Sequence, residues 1–473
     1  MASDRVLGAA LRRMALALLL FAAASGTAVA QLVAARTETL APAVFAARRA
    51  ALLERLGDAA VVVLFAAPVH ARNHDVDHPY RQNSDFWYLT GFAEPGSALL
   101  LRTRDGRPHA TLFVPPRDPG SELWDGARLG VDGAAPLADE VRSNGALAAE
   151  LKERLAGAAR ILVQDAGDGE RRKLLDAALP AGGAAEAGEL REALGRQRLL
   201  KSSEELALLQ RAVDISAAAH VAAMRFAAPG RFEYELQGVI EASFLLLGAR
   251  RVGYPCIVGS GANSCVLHYD SNRARIPERA TIVIDVGAEY GMYTADVTRT
   301  LPSDGRFTPE QRLVYQAVLD AQEAAIAAVK PGATLRGIEQ AARRTLGDAL
   351  QAGGVVKERS QAMALLPHGT CHWLGLDVHD EAPYRAADGR GEVRLEPGMV
   401  LTVEPGCYIA PGCAFVEPRF HAIGVRIEDD VVVTAEGCVV LSARLPKSIA
   451  AIEQLMAEES HFPRLLDATE WER

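Results

Sequence analysis

Two aspartates, Asp285 and Asp296, stand in the segment TIVIDVGAEYGMYTADVTRT, where apolar and β-branched side chains surround both. Thr281 to Ala288 and Met292 to Thr300 read as strands, and Glu289-Tyr290-Gly291 between them reads as a turn. With Tyr290-Gly291 as a two-residue hairpin loop, Asp285 falls directly across from Asp296, with Cβ atoms about 4.5–5.5 Å apart on one face. Carboxylates so placed repel, and burial strengthens the repulsion. The pair then needs a proton or a cation between its members. A solvated polar face, or a slipped register that parts the two, is the competing reading.

Further candidates have the same character. LEPGMVLTVEPGCYI carries Glu404 beside Pro405-Gly406, and GVRIEDDVVVT carries Arg426 and Glu428. PHGTCHWLGLDVHD holds His368, His372 and His379, and NSCVLHYD holds His268. Singly each has an ordinary reading, such as an exposed histidine or a surface Arg–Glu pair. Taken together, four carboxylates in apolar β-like segments are prohibitive without cations, because burying even one charged group is costly. Two divalent cations would balance the four charges and leave a bridging hydroxide as surplus anion. An oxygen-rich shell with one imidazole suits manganese better than copper, with zinc or cobalt also compatible.

The chain that must position these groups has 473 residues, 49% apolar and 23% charged, an ordinary composition for two or three globular domains. Its net charge of −9 and the lack of a basic stripe argue against nucleic acid as a partner. Arg12-Arg13, the run MALALLLFAAAS and Ala28-Val29-Ala30 form a secretory signal over residues 1–30, cleaved before Gln31. The apolar run is shorter than the roughly 20 residues a spanning helix needs. The expected product is exported, periplasmic or secreted, with no stable membrane insertion. The cysteines are 256, 265, 371, 407, 413 and 438, too few for a disulfide scaffold. Cys407 and Cys413 flank Pro411-Gly412, which leaves open a local bridge or two free thiols.

Ala41 to Leu56 reads as an amphipathic helix and residues 59–67 as a buried strand. His70, His74 and His78 are spaced by four, but Asn73, Asp75, Asp77 and Pro79 make the stretch a loop rather than a helical metal face. SALLLRT, ATLFVPP and ARILVQD read as strands separated by helical stretches, giving an α/β domain over residues 31–196. Ser202-Ser203 before Glu204-Glu205 signals a new helix. Residues 197–473 then mix long helices with strand pairs, so the chain as a whole reads as α+β.

These motifs resemble the metallopeptidase family with the pita-bread fold, which includes methionine aminopeptidase, prolidase, creatinase and aminopeptidase P. The order Asp285, Asp296, His372, Glu404, Glu428 is similar to that family's five metal ligands. HPYRQNSDFWYLTGFAEP resembles the N-terminal-domain signature of the aminopeptidase P branch, HWLGLDVHD and GVRIEDD its catalytic motifs, and LPKSIAAIEQLM its C-terminus. The resemblance spans about residues 41 to 460. It implies a pita-bread catalytic domain with two divalent metals, Asp296 and Glu428 bridging. Such a pair clamps and activates water for attack on an amide. It further implies release of the N-terminal residue from peptides with proline second, by a metal-bridging hydroxide. Glu404 would double as general base, and His268 and His379 would act at the scissile bond. His368 and Arg426 would meet the peptide, or Arg426 would orient Glu428. Trp87 sits in the strand-like run YRQNSDFWYLTGF, where a large aromatic ordinarily packs in the core. The family also implies a homo-oligomer, tetramer or dimer, in which a residue of this signature can reach toward a neighbouring subunit's pocket. Prolidase shares the ligands and is the nearest competitor. A non-catalytic peptide-binding relative is a more distant one, since it would be expected to have lost ligands. Cys371 and Cys407 beside ligands, and the export signal, are the departures.

Overall fold

The structure, a computed structural model, describes residues 39–164, 169–180, 185–386 and 389–460. The signal-like segment 1–30 lies outside the described residues.

The helix Pro42–Leu56 and the strand Ala60–Phe65 form where the apolar pattern places them. Every residue of that strand is buried, as an unbroken apolar run requires when both faces of a sheet are covered. It lies inside a six-stranded mixed sheet whose order is Glu140–Ser143, Arg107–Val114, Ala98–Arg104, Ala60–Phe65, Arg160–Val163, Ala185–Glu186. Val61, Val63, Leu100 and Phe113 pack on one face against Leu147, Leu151 and Leu155 of the helix Leu147–Leu155. Two expectations fail here. Ala98–Arg104 and Arg107–Val114 are not separated by a helix; they form a hairpin through Asp105-Gly106. Both turn residues have positive φ, 49° and 70°, the conformation that an Asp-Gly loop favours. The signature residues Ser84–Thr90, expected to be strand-like, are a helix. Asn83 accepts the Phe86 N–H at 2.9 Å to start it, and Gly91 at φ 66° ends it.

The His70–His78 segment is an exposed loop with a short hairpin, Ala71–Asn73 with Val76–Asp77.

Ser202 opens the helix Ser203–Phe226 with a reciprocal cap: its Oγ accepts from the Glu205 N–H, and Glu205 accepts from the Ser202 N–H. Three more long helices follow, Glu233–Leu246, Pro309–Ala327 and Leu335–Ala352. Between them run small antiparallel sheets: Ile257–Ser260 with Thr281–Val286 and Val297–Pro302; Val400–Val403 with Asp429–Val433 and Cys438–Val440; and Gly406–Ile409 with Ile423–Arg426. Ala325, Ile338, Ala342, Trp373, Leu401 and Val431 fill the layer between helices and sheet. All six cysteines are free, Cys407 and Cys413 included.

The register of the aspartate hairpin differs from the expected one. Tyr290 pairs with Tyr293 and Asp285 with Thr298, so the loop is Gly291-Met292. Both loop residues have positive φ, 56° and 71°. The slip is two positions, which preserves the face each side chain points to. Asp285 and Asp296 are therefore diagonal neighbours on one face rather than directly opposed. Asp296 falls opposite Gly287, and a Cβ on Gly287 would collide with the carbonyl of Ala295. That close approach explains the glycine.

Candidate metal centre

Each candidate carboxylate sits at or beside a strand end. Asp285 is next to last in Thr281–Val286, and Asp296 just precedes Val297–Pro302. Glu404 directly follows Val400–Val403, and Glu428 lies between Ile423–Arg426 and Asp429–Val433. The His372 backbone is tied to Thr402 and that of Glu404 to Thr370. The Glu428 N–H bonds the carbonyl of Thr298, which brings the two hairpins together at 3.1 Å. Behind them the fully buried guanidinium of Arg299 reaches the Glu428 carbonyl at 2.6 Å and Asp429 at 2.7 Å.

The side chains converge. His372 Nε2 stands 3.2 Å from Asp296 and 3.5 Å from Glu404. Its Nδ1 lies 3.1 Å from the Trp373 carbonyl, which places the proton on Nδ1 and aims Nε2 at the carboxylates. Ligand atoms of Asp296, His372 and Glu428 all lie within 4.8 Å of one another. Asp285, Asp296, His372, Glu404 and Glu428 line one cavity of ≈ 660 Å³ together with His268, His368, His379 and Arg426.

The electrostatics call for positive charge. Burial, then the charge of Asp285, raises the Asp296 pKa. Burial, then neighbouring carboxylates, pushes Glu404 up to about 8 and holds Glu428 far above its ordinary range. Burial opposes the imidazolium of His372, yet the Asp296 hydrogen bond and the Glu404 charge raise its pKa to about 9. Tyr254 Oη lies 2.6 Å from both Asp285 and Asp296, although a hydroxyl has one proton to give. This donor set, carboxylate oxygens with one imidazole nitrogen, fits divalent cations.

The accessory residues are placed as follows. Arg426 pairs with Asp285 at 2.6 Å and not with Glu428; it meets Glu428 only through Thr298, whose Oγ1 is 2.6 Å from Glu428 and 3.3 Å from Arg426 Nε. The His379 ring lies edge-on to His372, 4.3 Å between centroids. His368 Nε2 bonds Tyr408 Oη at 2.8 Å, and Tyr408 also takes Arg426 at 2.9 Å. Tyr254, Thr298 and Tyr408 escape the sequence reading because an isolated Tyr or Thr among apolar residues looks like sheet packing. Trp87 does not join the site. It is buried at 4% exposure, edge-on to Phe45 and to Tyr293. The expectation that it reaches a neighbouring subunit is corrected by that packing, since an apolar indole gains most from a dry interior. The exposed tryptophan of the N-terminal residues is Trp124, 85% exposed beside Leu123 at 81%.

Comparison with known proteins settles the family. Residues 207–435 match the model for metallopeptidase family M24, and residues 45–163 that for the aminopeptidase P N-terminal domain. The Xaa-Pro aminopeptidase of Escherichia coli is 39% identical over 438 residues, covering 87% of this chain and 97% of that protein. The chain belongs to the Xaa-Pro aminopeptidases. Human Xaa-Pro aminopeptidase 3 is 33% identical, covering 84% of this chain and 81% of that protein. The solved structure of Pseudomonas aeruginosa aminopeptidase PepP superposes with a TM-score of 0.83 at 40% identity, over 89% and 99% of the two chains. An Escherichia coli aminopeptidase P variant, solved in complex with substrate, superposes with a TM-score of 0.84 at 37% identity, over 88% and 98%. The fold is therefore the pita-bread metallopeptidase fold with an aminopeptidase P N-terminal domain, and metallopeptidase family M24 implies divalent metal ions. No helix among the described residues is long and apolar enough to cross a membrane.

Proposed function

We propose that this Xaa-Pro aminopeptidase uses two divalent cations, manganese by preference, to release the N-terminal residue from peptides with proline second. The observation that carries the reading is the gathering of four carboxylates and His372 on the wall of a single cavity that also presents His268, His368 and His379. Asp285, Asp296, His372, Glu404 and Glu428 would hold the cations, with Asp296 and Glu428 shared. Such a pair, when bound, polarises an amide carbonyl and activates water at neutral pH.

The chain's own groups do the rest. Glu404, beside His372, takes up and passes on a proton. His379 and His268 flank the reacting amide as hydrogen-bond donors. Arg426 fixes Asp285, and His368 with Tyr408 fixes the wall near Glu404. Pro255, Ile257, Leu267, Val378 and Tyr384 line the same cavity and exclude water from the pyrrolidine ring. We also propose that the enzyme is exported and forms a homo-oligomer.

The test is a panel of X-Pro-Y tripeptides, X-Ala-Y tripeptides and X-Pro dipeptides with the metal-loaded enzyme. X-Pro-Y should be cleaved preferentially, with free X as product. Cleavage confined to the dipeptides would make the enzyme a prolidase, and indifference to proline would remove the specificity.

A further inference from the structure

We infer that Arg198 is a positioning residue for cleavage, fixing the loop that carries His379 by tying both acidic residues of that loop to the N-terminal residues. The inference rests on the role proposed above for this histidine.

The loop needs such a support. Residues 374–380 lie outside any helix or strand, so no ladder defines their geometry. The loop closes on itself through the Asp380 N–H to the Trp373 carbonyl at 2.9 Å. It leaves His372 at one end and His379 at the other, rings in contact. The Thr294 N–H bonds the Gly375 carbonyl at 3.0 Å, and Arg81 reaches the Leu376 carbonyl at 2.6 Å and stands 3.4 Å from Asp377. The half of the loop next to His379 is held by two carboxylates turned away from the cavity. Arg198, 3% exposed near the end of the helix Gly188–Leu199, takes Asp377 at 2.7 Å and Asp380 at 2.5 Å through Nη2. Its Nη1 takes Asp85 of the helix Ser84–Thr90 at 2.7 Å. Lys201 adds a second contact to Asp380 at 3.2 Å, and Ser84 donates to Asp377 at 2.7 Å.

One planar guanidinium thus meets three carboxylates from two parts of the chain. A lysine offers a point charge and no fork, and cannot hold all three in these directions. Gly375 shows how tightly the loop sits on this hub, since a Cβ there would strike the Asp380 carboxylate. Asp380 is the residue next to His379, so any relaxation of the hub is passed directly to the His379 ring. A buried ion cluster is weak evidence for stability by itself. Its placement under a catalytic loop is what points to positioning.

The experiment uses the full-length metal-loaded enzyme and compares Arg198→Met, His379→Ala and the double variant. Arg198→Met should retain two metals and lower kcat by about 10- to 100-fold, the range for losing a group that orients a metal ligand, with KM changed less. In the His379→Ala background, Arg198→Met should change kcat by less than about 3-fold, because residues acting through one another are not additive. Arg198→Lys, which keeps the charge, should show the same fall in kcat and serves if Arg198→Met does not fold. A folded, metal-loaded Arg198 variant with parental kcat, or a full Arg198 effect persisting without His379, would overturn the inference while leaving the proposed function intact. Parental kcat in His379→Ala would instead remove the role proposed for that histidine, and the inference with it.

Discussion

Glu404 and Glu428 stand opposite each other in a single antiparallel register, at the point where its ladder opens. Val403 pairs with Asp429 on one side and Gly406 with Arg426 on the other, so the register runs straight through the unpaired positions between them. The aspartate hairpin is built alike, with Asp296 opposite Gly287 between two paired stretches. An open ladder frees the backbone for other partners, and Pro405, which has no N–H to lose, is suited to that place.

Removing Asp296, proposed above to be shared by the two cations, should deplete the centre. Asp296→Ala is expected to lower activity by more than about 100-fold, beyond the loss typical of an orienting partner, and to leave fewer than two metals per chain. Metal analysis alongside a tripeptide assay checks this. A variant with two metals and full turnover would show that Asp296 is not shared.

The metal-free enzyme should lose stability as pH rises. The folded pKa of Glu404 is raised from 4.5 to about 8, so its contribution is complete below the unfolded value and is lost as pH climbs through about 8. His372 is raised from 6.5 to about 9, and its contribution disappears through that window in the same direction. The gap in Tm between metal-loaded and metal-free protein should therefore widen from about pH 5 to about pH 9, and metal binding at neutral pH should release protons. Calorimetry in buffers of different ionisation enthalpy counts them. A pH-independent gap without proton release would contradict this.

Trp87 and Trp124 should separate stability from assembly. Trp87→Ala is expected to destabilise the fold by about 3–5 kcal/mol, as for other buried tryptophans, with little change in turnover per folded molecule. Trp124→Ser should leave Tm nearly unchanged and shift light scattering toward smaller species. An active parental monomer would defeat the oligomer proposal.

Processing is checked by N-terminal sequencing of native protein, which should begin at Gln31. A chain beginning at Met1 or Ala2 would exclude cleavage at Ala30.

The carboxylates and histidines of the cavity were legible because charge in apolar strands is rare enough to stand out. Their mutual geometry was less so. The turn at Gly291-Met292 places a methionine at positive φ, an unfavourable conformation that no local preference suggests, and tertiary pairing imposed it over Tyr290-Gly291. The Ser84–Thr90 helix was hidden because its aromatic residues favour strands as well, and only Asn83 and Gly91 at its ends give it away. Tyr254 and Arg198 act through contacts 31 to 182 residues away in sequence, and nothing adjacent to them reports such partners.

The packing of Trp87 on Tyr293 bears on the order in which the chain is made. Tyr293 closes the aspartate hairpin, and its hydroxyl meets Arg48 and Glu205. On the ribosome, the residues around Trp87 and Arg48 emerge some two hundred positions before the hairpin does. They form the surface against which Tyr293 packs. A gene cut between these parts would deliver the hairpin to water with its anchor missing, so splitting the enzyme should yield two insoluble fragments unless both are expressed together.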